Sequence, residues 1–286
     1  QQAAFPALVS VSTLWDIKAF YVSLDLELVA RAALKLDYPP HVLGLELVIH
    51  MAPRILREGP DVSEAIQPGL SVLAGTRGAN DLARCVLFTV LQETYERRGA
   101  LLSIFSWVDD VNMRAFGFLA KVKQAILETG TIFAKGVRSS KLTLSTKSVC
   151  IATNKSLANE LAKEFKQLGI PIKAAGSAPD LGIDRGSRGA PGKRAAKRTK
   201  AAAARLKKIH RWSRGFSAKL KGVTRNLATT GAMPQALYDT KVFGLAPTAL
   251  KRLRTAVGAA IDGGKKGRCL QTLLALELGW SDQAHA

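Results

Sequence analysis

The arrangement of apolar and polar positions changes period along the chain, and each change predicts an element. The apolar stretch Ala7, Leu8, Val9, Val11 and Leu14 predicts a strand over residues 7–18 that runs into Asp16. Residues 24–36 have helical periodicity, with Ser23 as the expected cap and Pro39 and Pro40 as the stop, and a second helix is expected over residues 41–57. After a Gly/Pro-rich loop, residues 70–74 are expected as a short buried strand, and Asn80 as the cap of a helix running to Arg98. Residues 101–108 form an apolar strand that ends in two aspartates, and residues 111–116 can return antiparallel as the second arm of a hairpin. A helix over 119–133, a strand over 142–151 and a helix over 156–168 opening near Asn154 complete this part. Strands alternating with helices without strict repetition predict an α+β sheet with helices on one face, followed by an all-helical region from Lys193 onward.

Charge divides the chain more sharply than hydropathy does. Residues 1–184 carry 20 Lys and Arg against 18 Asp and Glu, whereas residues 185–286 carry 22 against 4. Two domains are expected, 1–184 and 185–286, with Gly186, Gly189, Pro191 and Gly192 marking the hinge. Between Arg185 and Tyr238 there is no acidic residue. Lys193, Arg194, Lys197, Arg198, Arg205, Lys208 and Arg211 recur there among Ala201 to Ala204, Leu206, Ile209, Trp212, Phe216 and Leu220. Apolar groups at helical spacing let one face pack while the other offers cations to phosphates, so nucleic acid is favoured over a membrane surface, which demands a larger uninterrupted apolar face. The GSRGAPGKR stretch is not a Walker A loop, because Lys193 is followed by Arg194 rather than Ser or Thr.

Composition removes several classes. With 47% hydrophobic and 22% charged residues over 286 positions, the chain can bury a core, which excludes wholesale disorder. It has neither an apolar run long enough for a membrane span nor a signal-like N-terminus. Cys85, Cys150 and Cys269 are far apart, and His41, His50, His210 and His285 are equally scattered, so neither a zinc spacing nor a disulfide framework is present. An intracellular, reducing setting is expected, nucleus and cytoplasm both remaining open. Trp107 and Trp212 are read first as packing residues.

The remaining chemistry is acidic. Asp109 and Asp110 stand side by side between apolar arms, where adjacent carboxylates repel unless cations or water compensate. Asp16 closes a core strand beside Phe20 and Tyr21. If the two strand regions are neighbours, Asp16 and Asp109 can converge on hard divalent cations, and a pair of such ions can stabilise the attacking and leaving oxygens of a phosphoryl transfer.

This set resembles the palm of a reverse transcriptase of the non-LTR retrotransposon and group II intron type. Residues 16–23, DIKAFYVS, look like the family's first acidic motif, and residues 105–110, FSWVDD, look like its aromatic-x-Asp-Asp hairpin. The resemblance implies an antiparallel palm sheet with packed helices, and a basic thumb holding an RNA template paired with a DNA primer. It implies two Mg²⁺ ions, with Mn²⁺ as their substitute, held by Asp16, Asp109 and Asp110. Tyr21 stands at the offset of the steric gate that rejects a ribose 2′-hydroxyl, with Phe20 beside it in the site for deoxynucleoside triphosphates.

Further similarities follow in the family's order. Residues 142–148, LTLSTKS, are similar to the motif whose lysine protonates the departing pyrophosphate, which makes Lys147 the candidate general acid. Leu181 and Gly182 resemble the primer-grip turn. Residues 69–81 stand where template is positioned but lack a Pro-Gln-Gly core, leaving Gly75 or Gly78 for that role, and Val22 replaces a second aspartate common in relatives. Because about 15 residues precede the first motif, the expectation is either that fingers or endonuclease segments lie upstream in a longer polypeptide or that the chain is a decayed element copy that still folds. Two further readings stay open: a palm-like protein that only binds RNA or DNA through its basic helices, and a structural basic protein whose three acids lie far apart.

Overall fold

Strand β1 (Leu8–Trp15) carries the alternation that organises the first unit: Val9, Val11, Thr13 and Trp15 are buried, while Leu8 and Ser10 face outward. The computed structural model describes residues 8–97, 100–180, 183–186, 193–215, 221–238, 244–262 and 269–278. Leu181, Gly182, Phe216 and Leu220, to which roles are assigned above, lie outside the described residues. The chain divides into two compact units, Gln1–Asp180 and Leu181–Ala286.

After β1 come the four-residue helix α1 (Phe20–Ser23), α2 (Leu26–Lys35) and α3 (Pro40–Met51). Ser23 does not cap α2. Asp25 does, accepting from the backbone N–H groups of Glu27 at 3.0 Å and Leu28 at 3.4 Å. The Asp25 carboxylate also takes Lys141 Nζ at 2.6 Å, and that bond holds its pKa below the usual value. Helix α3 stops at Met51, short of residue 57, because Pro53 pushes Ala52 into an extended conformation, with ψ 140°. A small hairpin follows, β2 (Arg57–Glu58) and β3 (Asp61–Val62).

Residues 70–74 form no strand. They are tied down singly, by Ser71 N–H to Leu24 O at 3.0 Å, Val72 N–H to Tyr21 O at 2.9 Å and Leu73 N–H to His50 Nδ1 at 3.0 Å. Helix α4 (Ala79–Glu96) then has Gly78 in the cap position, and Asn80 falls inside its first turn. The expected hairpin is present as β4 (Leu102–Trp107) and β5 (Asp110–Phe118), followed by α5 (Leu119–Ser139), β6 (Val149–Ala152), α6 (Lys155–Gln167, capped by Asn154), β7 (Lys173–Ala174) and β8 (Ser177–Asp180).

The main sheet has the order β4-β5-β1-β6-β7. The expected all-antiparallel sheet is corrected at one edge: β6 and β7 pair in parallel, since α6 carries the chain back between them. The architecture is therefore α+β with a mixed sheet. Helices α5 and α6 cover one face, and Trp15 packs there against Phe133 and Phe165 with ring centroids 5.6 and 5.5 Å apart. The same face takes Met113 and Ala115 of β5, Leu102 of β4, and Cys150 and Ala152 of β6 into the core. Along β4 and β5 the opposite face leaves Phe105, Trp107, Phe116 and Phe118 exposed.

Among its described residues, the second unit has strand β9 (Ile183–Gly186) followed by helices. Its long element α7 (Lys193–Gly215) is followed by α8 (Lys221–Leu227), a π-helical turn at Ala228–Ala232, α9 (Met233–Leu237), α10 (Pro247–Asp262) and α11 (Leu270–Leu278). Ala202, Leu206 and Ile209 of α7 pack with Ala228, Ala232, Met233, Leu253 and Val257. This is one apolar stripe at helical spacing meeting three other elements. Among the described residues, no helix is long and apolar enough to cross a membrane.

Candidate active site and basic helix face

Register decides where the acids meet. In the antiparallel pair β1 and β5, Trp15 lies opposite Val111 as the last pair, so Asp16 leaves β1 at the same sheet end where Asp110 begins β5. Trp107 and Asp110 are the last pair of the β4–β5 hairpin, which leaves Val108 and Asp109 as its two-residue turn. Val108 has φ 56°, in the left-handed region that suits Gly and strains a β-branched residue by roughly 1–3 kcal/mol. That turn carries Asp109 to the end of the sheet where β1 delivers Asp16.

The expected strand over 142–151 shortens to residues 149–152 because the peptides before it serve Asp16 instead. Ser145 N–H donates to Asp16 O at 2.8 Å, Asp16 N–H donates to Ser148 Oγ at 3.2 Å, and Lys18 N–H donates to Thr143 O at 2.8 Å. Ser148 N–H closes the loop on Ser145 O at 3.1 Å, and Lys147 N–H donates to Ser145 Oγ at 3.1 Å. Lys147, exposed, therefore sits on a loop clamped to the backbone of Asp16. Asp16 and Asp109 are half-buried and Asp110 is exposed.

Tyr21 lies at the same end. Its backbone carbonyl accepts from Val72, and its phenol O–H donates to Asn80 Oδ1 on α4. Burial raises the Tyr21 pKa, the Asp109 carboxylate raises it further, and Arg84 works the other way. Tyr21 is thus in electrostatic reach of the hairpin acid, as a residue of one shared site must be.

Three of the expected assignments change. Phe20 is 3% exposed and belongs to the core, with its ring edge against Tyr21 at 5.7 Å, so it supports the site from behind and cannot touch a substrate. Gly78 is buried where a side chain would run into the Glu46 carboxylate, so packing against α3 explains it; Gly75, exposed with φ 95° and open space around it, remains free to face a ligand. Trp107 and Trp212 are not packing residues: they are 62% and 60% exposed. Asn80 was missed as a site residue, because the hydrogen bond that joins it to Tyr21 spans 59 positions of sequence.

Hard carboxylate oxygens from two strand ends suit Mg²⁺, which needs one or two carboxylates besides the oxygens of a phosphate substrate. Among the described residues no group of three or more His, Cys, Asp or Glu side chains is gathered closely enough to hold a metal ion, Asp16, Asp109 and Asp110 included. Cysteine chemistry is remote from the site's needs: Cys150 is buried, and burial pushes its thiol up to about 12.

On α7, Arg194, Lys197, Arg205, Lys208 and Arg211 are exposed, and Lys193 opens the helix. Arg198 is half-buried and lies over the Tyr238 ring at 4.5 Å, while Arg205 Nη1 donates to Gly231 O at 3.3 Å. Arg194, Arg198 and Arg205 are thus engaged within the structure, and Trp212 is exposed on the same helix. No protein-family model matches the chain, and no curated protein matches its sequence.

Proposed function

We propose that the chain is the palm and thumb part of an RNA-directed DNA polymerase, adding deoxynucleotides to a DNA primer on an RNA template. The observation that carries this reading is the β1–β5 register, whose last pair, Trp15 and Val111, brings the neighbouring Asp16 and Asp110 to the sheet end where the Lys147 loop is bonded to the Asp16 peptide. Three chemistry-bearing segments far apart in sequence meet at one place, in the order that a reverse transcriptase palm would require.

In this reading the primer 3′-hydroxyl attacks the α-phosphorus of the incoming triphosphate. A phosphorus–oxygen bond forms, the bond to pyrophosphate breaks, and the hydroxyl proton passes to water. Asp16, Asp109 and Asp110 would hold two Mg²⁺ or Mn²⁺ ions, which would supply charge neutralisation at the attacking and leaving oxygens. Lys147 gives a proton to the departing pyrophosphate. Tyr21 closes the space beside the sugar, and the exposed rings of Phe105 and Trp107 offer stacking surfaces to nucleobases. The basic face of α7 holds the template and primer duplex by backbone charge.

A second reading, a catalytically inactive or decayed palm-like protein that only binds RNA or DNA, rests on the exposed cations of α7, which need no metal site to hold phosphates. Primer extension on a poly-A template with Mg²⁺ and labelled dTTP separates the two, run on the chain and on Asp109→Asn with template binding recorded alongside. Extension by the first and none by the second supports the polymerase. Salt-sensitive binding with no extension by either moves the conclusion to the binding protein.

A further inference from the structure

A phenol ring on a four-residue helix needs an outside constraint to keep one orientation. The Tyr21 backbone is fixed, by the Val72 N–H on its carbonyl and by the left-handed turn at Ala19 with φ 50° before α1. The ring itself still has two side-chain torsions, and a half-buried aromatic at a site edge can swing about them. Packing against the Phe20 ring and the core restrains one side of it, and the hydrogen bond from the Tyr21 phenol to Asn80 Oδ1 fixes its tip. The backbone at Asn80 is held, because its neighbours Ala79 and Leu82 are 1% and 0% exposed and seat the first turn of α4 in the core, while the Asn80 side chain itself is exposed. Burial and the Asp109 carboxylate both keep the phenol protonated, as a donor must be.

We infer that Asn80 is a specificity-determining positioning residue: it holds the Tyr21 ring in place, and thereby sets how strongly the site prefers a deoxyribonucleoside over a ribonucleoside triphosphate. The inference rests on the polymerase reading above. Asn80 does not touch the nucleotide; it acts only through the ring. With the bond intact, room for a 2′-hydroxyl requires breaking it. With the bond absent, only packing against Phe20 and the core opposes the ring's turning aside. One hydrogen bond of ordinary net strength therefore contributes roughly three- to tenfold to the discrimination.

The test is single-nucleotide primer extension with a deoxyribonucleotide and with the matching ribonucleotide, on the full chain and on Asn80→Ala, Tyr21→Phe, the double variant and Asn80→Asp. Expected is a rise of about three- to tenfold in relative ribonucleotide use for Asn80→Ala and for Tyr21→Phe. The double variant should rise no further, since both changes remove the same bond, and Asn80→Asp, which keeps an acceptor oxygen, should stay near the unsubstituted chain. Unchanged selectivity in Asn80→Ala with extension retained overturns the inference alone, as does an additive double variant. Failure of the unsubstituted chain to extend any primer overturns the polymerase reading and the inference with it.

Discussion

Two glycines in helix interiors should respond to alanine with opposite signs. At Gly44, in α3, an added Cβ meets nothing within 4 Å, so Gly44→Ala should stabilise by about 1 kcal/mol through helix propensity. At Gly130, in α5, the same Cβ would lie 2.7 Å from Phe165 Cζ, 2.8 Å from its Cε1 and 3.0 Å from Trp15 Cζ2. Carbon atoms prefer separations of roughly 3.5–4.0 Å. Neither ring can simply swing away: Phe165 and Trp15 are 0% and 1% exposed, stand edge to face, and Trp15 is backed by Phe133. Overpacking of this kind costs about 1–3 kcal/mol against the same propensity gain of about 1 kcal/mol. With two buried rings displaced, we expect Gly130→Ala to be destabilised by about 1–2 kcal/mol, or about 2–8 °C in Tm for a unit of this size. Urea unfolding followed by tryptophan fluorescence measures both variants, read as midpoint shifts at constant slope. A neutral or stabilised Gly130→Ala beside a stabilised Gly44→Ala would refute the close approach of α5 to Trp15. Because Trp15 precedes Asp16, primer extension by Gly130→Ala should fall by more than the lost stability accounts for.

Burial keeps the His50 imidazole neutral and its pKa below the ordinary value, with Glu46 opposing and Arg54 reinforcing the shift. The unfolded chain takes up a proton near pH 6.5 while the folded chain resists, so stability should fall as pH drops from about 6.5 toward the lowered folded value. His50→Gln should abolish that part of the pH dependence in urea midpoints between pH 8 and 5.5, and identical profiles would exclude His50 as the source. Replacing Lys197, Lys208 and Arg211 together by Ala should weaken template binding and lower the slope of log affinity against log salt by about 2–3. An unchanged slope would put the phosphate contacts elsewhere.

How legible the molecule was in its sequence varies with the range of the physics involved. Hairpin β4–β5 and helices α2, α4, α5 and α6 follow from local periodicity, and the Asn154 cap from local side-chain chemistry. Where a local reading was overridden, a distant partner took the hydrogen bonds. Residues 142–148 bond to Asp16 and Lys18 rather than pairing as a strand, and residues 71–73 bond singly to Leu24, Tyr21 and His50. The cap of α2 passed from Ser23 to Asp25 within two positions, since the Asp25 carboxylate reaches two N–H groups and Lys141 as well.

Residue type and spacing alone mark the candidate chemistry and the place where charge gathers: Asp16, Asp109, Asp110, Tyr21, Lys147, and a basic helix free of acids. These are properties of residue type and spacing, which a linear chain carries without folding. Only the tertiary structure decided which of them meet. Strand register, whose period of two turns every side chain over with a one-residue slip, brings Asp16 and Asp110 to the same end of the sheet, next to the Trp15–Val111 pair. Packing sent Phe20 into the core and made Gly78 a neighbour of Glu46, and a contact across 59 residues made Asn80 the partner of Tyr21. Such pairings depend on how whole elements stack, and no local pattern encodes them.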